Sequence, residues 1–291
     1  MIVMVLSPAK TLDMSLSTHT TCTQPTHLNE ASILVDELRK LSQAKLKALL
    51  GVSDAIAKLN YDRYKNFVKE GDVEKEPTET FKQAVLAFDG PAYKGLQSET
   101  WSADDLSFAQ DHLRILCGLY GTLHPLDLIQ AYRLEMGQKV ANPRGKDLYE
   151  FWGRTIADDI NATFASSSTR TKAANILLNV ASIEYFKSLD QSALDEDITV
   201  VDCVFKDDGQ IKSVYAKRAR GLMVNHVVTT RATTLADIQA FSSEGYVFST
   251  KDSSATTLVF HRSKAAAAEA LKRKKAATTP EPAPTKRVRR N

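Results

Sequence analysis

The sequence predicts a mixed α/β (α+β) fold in one compact domain, residues 1–263, followed by a disordered basic tail over 264–291. Three observations carry this. Short apolar runs, Ile2–Leu6 above all, read as strands buried on both faces, as in the sheets of α/β proteins. Between them lie capped stretches with apolar residues at 3–4 spacing, which read as helices. From Lys264 the pattern dissolves into Ala, Pro and like charge, a composition that buries too little apolar surface to order itself.

Taken in order, the strand Ile2–Leu6 stops at Ser7-Pro8, because proline cannot continue the ladder. The loop Ser7–Thr11 therefore sits at the carboxyl end of a central strand, where α/β sheets place ligands, although a plain surface turn reads the same way. Residues 13–28 form a Ser/Thr-rich loop. Its H-x2-C-x4-H spacing (His19, Cys22, His27) lacks a fourth ligand and a CxxC pair, so no metal is expected. Asn29 can cap a helix through Leu41, Ser42 a second through Leu50 ended by Gly51, and Ser53 or Asp54 a third with Ile56, Leu59 and Phe67 inward. Ala84–Phe88 reads as a second buried strand. Ser102 and Asp105 make a capping box for a helix with Leu106, Ala109, Leu113 and Leu116 on one face, ending at Gly118.

Residues 145–166 read as a helix, Ala174–Ala181 as a third buried strand, and Ser182 as the cap of a following helix. Ile198–Phe205 and Ile211–Ala216 flank an Asp-Gly turn and read as a hairpin. Helices follow over Lys217–Thr230 and Leu235–Phe241. Tyr246–Phe248 and Thr257–His261 close as a second hairpin. Ala265–Lys275 can prolong a helix before the Pro-containing terminus.

The formal charge of +3 hides an asymmetry. Residues 264–291 hold nine Lys or Arg and two Glu, a charge of +7, which leaves −4 on residues 1–263. The basic pI of about 8.6 belongs to the tail. The tail serves either solubility or nonspecific attraction to phosphates. The three cysteines (Cys22, Cys117, Cys203) are widely spaced, which suggests no disulfide framework and a reducing cytoplasm. Met1–Leu6 lacks the charged lead of a secretion signal. No stretch approaches the roughly 20 apolar residues of a membrane span. No dinucleotide fingerprint, Walker motif, nucleophile elbow or HExxH occurs. No cofactor is expected.

The chemistry-bearing residues cluster where elements end. In order they are SPAKTLD at 7–13, GLYG at 118–121, PLD at 125–127, YRLEMG at 132–137, GKDLYEFWG at 145–153, NVASIEYFK at 179–187 and YAKRARGLM at 215–223. Together these seven motifs, spread over about residues 1–262, make the chain resemble the YaaA family of peroxide-stress-response proteins. The basic tail lies beyond the resemblance, and Ala131 stands where the family typically has Pro. The resemblance implies a single-domain cytoplasmic α/β protein with a helix-hairpin-helix element. It also implies DNA binding and a limit on free iron and oxidative DNA damage during hydrogen peroxide stress. It carries over no defined catalytic reaction.

Two sets of residues are candidates for the contact. Gly118 and Gly121 can let backbone N–H groups approach a phosphate with no Cβ in the way. A helix C-cap at Gly118 followed by a tight turn explains the same glycines. The second set is Lys10, Tyr132, Arg133, Glu135, Lys146, Asn179, Ser182, Lys217, Arg218 and Arg220. If their loops converge they make a cationic cleft in an acidic body, although Arg133 and Glu135 suit a structural ion pair equally well. The expected function is a peroxide-stress protein that binds DNA largely independently of sequence. The alternative is an enzyme acting on a phosphate-bearing or nucleobase-like small molecule, a small anionic ligand, in that cleft. Direct peroxide reduction needs an activated thiolate with a resolving partner, and the cysteine spacing offers none.

Overall fold

The computed structural model describes residues 1–69, 76–166 and 174–278. Ile2–Leu6 forms strand β1, and each of its five side chains is at most 1% exposed. After the 7–10 loop comes the short β2 (Thr11–Leu12). The helical layer follows as α1 (Leu28–Arg39), α2 (Gln43–Leu50) and α3 (Asp54–Lys65). The Ser42 and Ser53 hydroxyls accept hydrogen bonds from the Lys45 and Ile56 amides, and Gly51 ends α2 at φ 60°. Next are β3 (Lys82–Gln83), α4 (Ala84–Ala87), β4 (Phe88–Asp89), α5 (Pro91–Leu96) and α6 (Ala103–His112). The Ser102–Asp105 capping box starts α6 as expected. Then come β5 (Leu113–Cys117), β6 (Gly121–Leu123), β7 (Leu128–Ile129), α7 (Leu148–Trp152) and α8 (Thr155–Ala165). The chain finishes with β8 (Asn175–Val180), α9 (Ile183–Phe186), β9 (Ile198–Asp207), α10 (Ser213–Thr230), α11 (Leu235–Gln239), β10 (Val247–Phe248), β11 (Thr257–Arg262) and α12 (Lys264–Thr278).

One seven-stranded sheet has the order β10-β11-β9-β8-β1-β5-β6. The five inner strands are parallel, and β10 and β6 pair antiparallel at the edges. Parallel strands end together, so β1 and β8 deliver Leu6 and Val180, which are paired in register, to one rim. The longest helix among the described residues, α10, approaches that rim while crossing α5 at very short range. A Cβ on Gly221 would lie 1.7 Å from the Ala92 carbonyl oxygen, and one on Gly95 would lie 2.3 Å from that of Arg218. Larger residues at either position would push α10 away from the sheet's carboxyl edge.

Several expectations are corrected. Leu113–Cys117 does not continue a helix to Gly118. The helix stops at His112, and the next five residues, all buried, pair in parallel with β1. An apolar run buried on every side looks the same as helix or strand in sequence. The helix-hairpin-helix expected around Gly118 and Gly121 is therefore a β-hairpin, β5–β6. Ala84–Ala87 is a helical turn instead of a strand, with the Ala84 and Val85 amides bonded to the Asp127 and Pro125 carbonyls. The Asp208-Gly209 turn forms at positive φ, but its second arm enters α10 at Ser213. The 145–166 helix is split at Gly153, φ 48°. On α3 the inward residues are Ala57, Asn60 and Tyr64, while Ile56 and Leu59 are exposed. Within the stretch assigned to the disordered tail, Lys264–Thr278 is helical, as the reading of Ala265–Lys275 as a helix extension allowed. The KRVRR cluster at 286–290 lies outside the described residues. Among those described, no helix is long and apolar enough to cross a membrane.

Candidate functional site, a cationic cleft at the strand ends

A cleft of about 580 Å³ opens at the carboxyl rim of β1 and β8. Its walls come from four regions: the 7–11 loop, the 89–93 turn leading into α5, the 132–135 segment, and the starts of α9 and α10. Of the sequence-nominated residues, Lys10, Tyr132, Arg133, Glu135, Ser182, Lys217 and Arg220 all line it. They come from segments up to 210 positions apart, and sheet topology alone brings them together.

Hydrogen bonds fix the rim. The Ser182 amide donates to Ser7 Oγ at 2.8 Å, and the two hydroxyls are 3.3 Å apart, tying β1's exit to β8's. Tyr93 Oη donates to the Ser7 carbonyl at 3.2 Å. Asn179 stands one step behind the wall: it donates to Asp202 at 2.7 Å and accepts from the Ala181 amide at 2.9 Å. It shapes the turn into α9 and does not face the cleft.

The charges are unevenly satisfied. Glu135 takes both Lys10, at 2.6 Å, and Arg133, at 3.2 Å. The ion pair expected between Arg133 and Glu135 is present, and it also lies in the cleft. On α10, residues 213, 216, 217 and 220 share one helical face, and that face lines the cleft. Arg218 turns the other way and pairs with Glu244, 2.9 Å from Nε. Among the described residues Arg220 has no carboxylate or hydrogen-bond partner. Burial lowers its pKa, opposed by Cys203. A partly desolvated guanidinium with no carboxylate partner of its own has the chemistry to pair with an anion.

The tyrosines beneath the cleft are neutral donors. Burial pushes Tyr93 and Tyr132 well above the usual phenol range, with Cys117 adding to the shift. Tyr132 Oη and Cys117 Sγ share a hydrogen bond of 2.7 Å. Burial also raises the Cys117 thiol to about 11 and raises Cys203 and Cys22. All three cysteines stay protonated near neutrality, which is the wrong state for attack on a peroxide.

Three nominated residues lie elsewhere. A Cβ on Gly118 would sit 2.6 Å from the Leu134 carbonyl oxygen, and one on Gly121, at φ 71°, would sit 2.6 Å from the Trp152 ring. Both glycines are required by internal packing and face no solvent. Lys146 is exposed and pairs with Glu150 at 2.9 Å. Conversely, Asp89, Tyr93, Ile183, Glu184, Tyr185 and Ile211 line the cleft without having been named as candidate site residues, although 183–185 fall within the 179–187 motif. Their signal was position, immediately after a strand or before a helix, not residue type.

A family model described as "Peroxide stress protein YaaA" matches residues 1–252. Three Burkholderia relatives, UPF0246 proteins of Burkholderia mallei (strain SAVP1), Burkholderia pseudomallei (strain K96243) and Burkholderia thailandensis (strain E264), are each 46% identical over 265 residues. The match covers 89% of this chain and 98% of each relative. With a matching model over most of its length and relatives aligned nearly end to end, the chain belongs to the peroxide stress protein YaaA family.

Proposed function

We propose that this peroxide-stress protein acts by binding DNA with little sequence preference and thereby limits iron-dependent oxidative damage to it. The observation that carries the proposal is the α2–Gly51-Val52-Ser53–α3 hairpin. Two helices meet across a three-residue turn, with Gly51 in the left-handed region and nothing within 4 Å of where its Cβ would point. The turn and the first residues of α3 are exposed near Lys45, Lys47 and Lys58, of which Lys47 pairs with Asp54 at 2.8 Å and Lys58 with Asp62 at 2.6 Å. A helix N-terminus flanked by lysines suits a phosphate backbone. On this reading the helix-hairpin-helix element that the family resemblance implies would lie at 43–65, not at 116–121.

The test is duplex affinity at two salt concentrations, for the full chain, for residues 1–263, and for Lys45→Glu/Lys58→Glu. Log K is expected to fall against log salt by about 0.9 per phosphate neutralised. The double charge reversal is expected to weaken binding and flatten that slope. If neither length binds, the proposal is wrong. If residues 264–291 supply all the affinity, the hairpin assignment is wrong.

A second reading rests on Arg220: the cleft holds a small phosphate-bearing or nucleobase-like ligand, as a binding or an enzymatic site. Arg220 and Lys217 leave positive charge facing a cavity whose volume lies in the range of small-molecule sites.

A further inference from the structure

We propose that the cleft binds a free 5′-nucleoside monophosphate, its phosphate on Arg220 and Lys217 and its ring against Ile183 and Ile211. This rests on the second reading above and specifies its ligand.

The anion position follows from which cations remain uncommitted. Lys10 and Arg133 already share Glu135. Lys217 and Arg220 lie one helical turn apart on the cleft face of α10, with the small Ala216 beside them. Ala216 leaves room for a dianion to reach both, and the Ser7–Ser182 hydroxyl pair lines the same cavity. A phosphate monoester offers the terminal oxygens that such a pair of donors can share.

The ring position follows from misplaced apolar surface. Ile183 is 89% exposed and Ile211 62% exposed, yet both line the cleft. One opens α9 just beyond β8, and the other leads into α10 just beyond β9. Apolar side chains left bare at the edge of a polar cavity mark a contact that a ligand completes. Inorganic phosphate would leave them bare. A long acyl chain would leave unused the carboxylates of Asp89 and Glu184, which also line the cleft and suit the hydroxyl and amino donors of a sugar and base. A flat heterocycle carried on a phosphorylated sugar meets all three requirements.

Calorimetry on the full chain tests this with four kinds of probe: the common 5′-ribonucleoside monophosphates, their nucleosides, inorganic phosphate and a short single-stranded oligodeoxynucleotide. At least one monophosphate is expected to bind about tenfold or more tighter than either its nucleoside or phosphate, since it makes both contacts. Arg220→Gln is expected to weaken monophosphate and phosphate alike by about tenfold. Ile183→Ser/Ile211→Ser, at side chains too exposed to hold the fold, is expected to weaken the monophosphate alone. If phosphate matches every monophosphate, the ring contact is overturned while the anion reading stands. If neither binds, both fail. If the oligonucleotide binds in an Arg220-dependent way and no monophosphate does, the ligand is a polymer and the proposal is overturned.

Discussion

The two ends of the sheet treat buried charge in opposite ways. At the amino-terminal side of β5 lies a polar network closed by its own hydrogen bonds, with Asp127 and Arg114 buried at its centre. Asp127, 1% exposed, accepts from Thr23 Oγ1 at 2.6 Å and from the His124 amide at 2.7 Å. Arg114, 4% exposed, donates to the Gln110 and Leu113 carbonyls, each at 2.8 Å. His27 lies 2.6 Å from Asp159, which also accepts from Thr122. At the carboxyl-terminal rim, Arg220 faces a cavity with no such partners. A closed network fixes structure, because each member is satisfied and would be costly to strip of its partners. An open one is stable only through solvent or a ligand. The difference separates a part of the molecule that holds the 13–27 loop and the 124–127 turn in place from a part whose charge the fold leaves unpaired, the part to which the proposals above assign a ligand.

The sharpest way to break this contrast is pH. Burial pushes Asp127 up to about 7 from 3.8, against the opposing pull of Thr23, the His124 amide and Arg114. Burial, with Arg114, pushes His124 down to about 4 from 6.5. An acid with a raised folded pKa contributes stability fully present below about 3.8 and lost as pH rises through about 7. A base with a lowered one contributes stability present above about 6.5 and lost as pH falls through about 4. Between those limits the two slopes oppose each other, so their joint contribution in the wild type is nearly flat. Asp127→Asn is expected to expose the histidine: stability falls as pH drops from 6.5 to 4. His124→Gln is expected to expose the carboxyl: stability falls as pH rises from 4 to 7. Each slope amounts to on the order of 2–4 kcal/mol, read by urea unfolding at successive pH values. Parallel profiles for both variants would dissolve the closed network.

The glycines of the β5–β6 hairpin give the next largest effect. Gly118→Ala places a Cβ against the Leu134 carbonyl and is expected to cost about 1–3 kcal/mol while duplex affinity of the folded fraction stays unchanged. Loss of DNA binding at full stability would return the phosphate contact to that turn.

The hairpin also marks where the sequence stopped being legible. Ile2–Leu6 announced a central strand, and the proline after it announced a loop at the strand's end. From those, and from the polar motifs at the other element ends, most of the cleft could be named. Leu113–Cys117 could not, because total burial erases the periodicity that separates helix from strand. Gly118 could not either, since a glycine needed for a close internal contact looks the same as one needed for a phosphate. Arg218 and Arg220 are two residues apart with identical chemistry. Only the direction of α10's faces decides that one pairs with Glu244 and the other looks into the cleft. Ile183 and Ile211 passed unnoticed because an isoleucine carries no sign of exposure.

The smallest expected effect on stability is at the open end. Arg114 and Arg220 both have pKa values lowered first by burial, and Arg114 falls to about 10. Their surroundings differ: carbonyl oxygens hold Arg114, and nothing among the described residues holds Arg220. Arg114→Gln removes one hydrogen bond from each of two carbonyls, although Gln110 O keeps its contact with His124 Nδ1, and is expected to destabilise the fold by about 1–3 kcal/mol. Arg220→Gln removes a partly desolvated charge without orphaning a partner, so unfolding free energy should stay within about 0.5 kcal/mol of the wild type or rise. Thermal unfolding of the two variants side by side measures the difference. Equal losses would mean that Arg220 is held by the protein itself, and the cleft would then have no need of an anion.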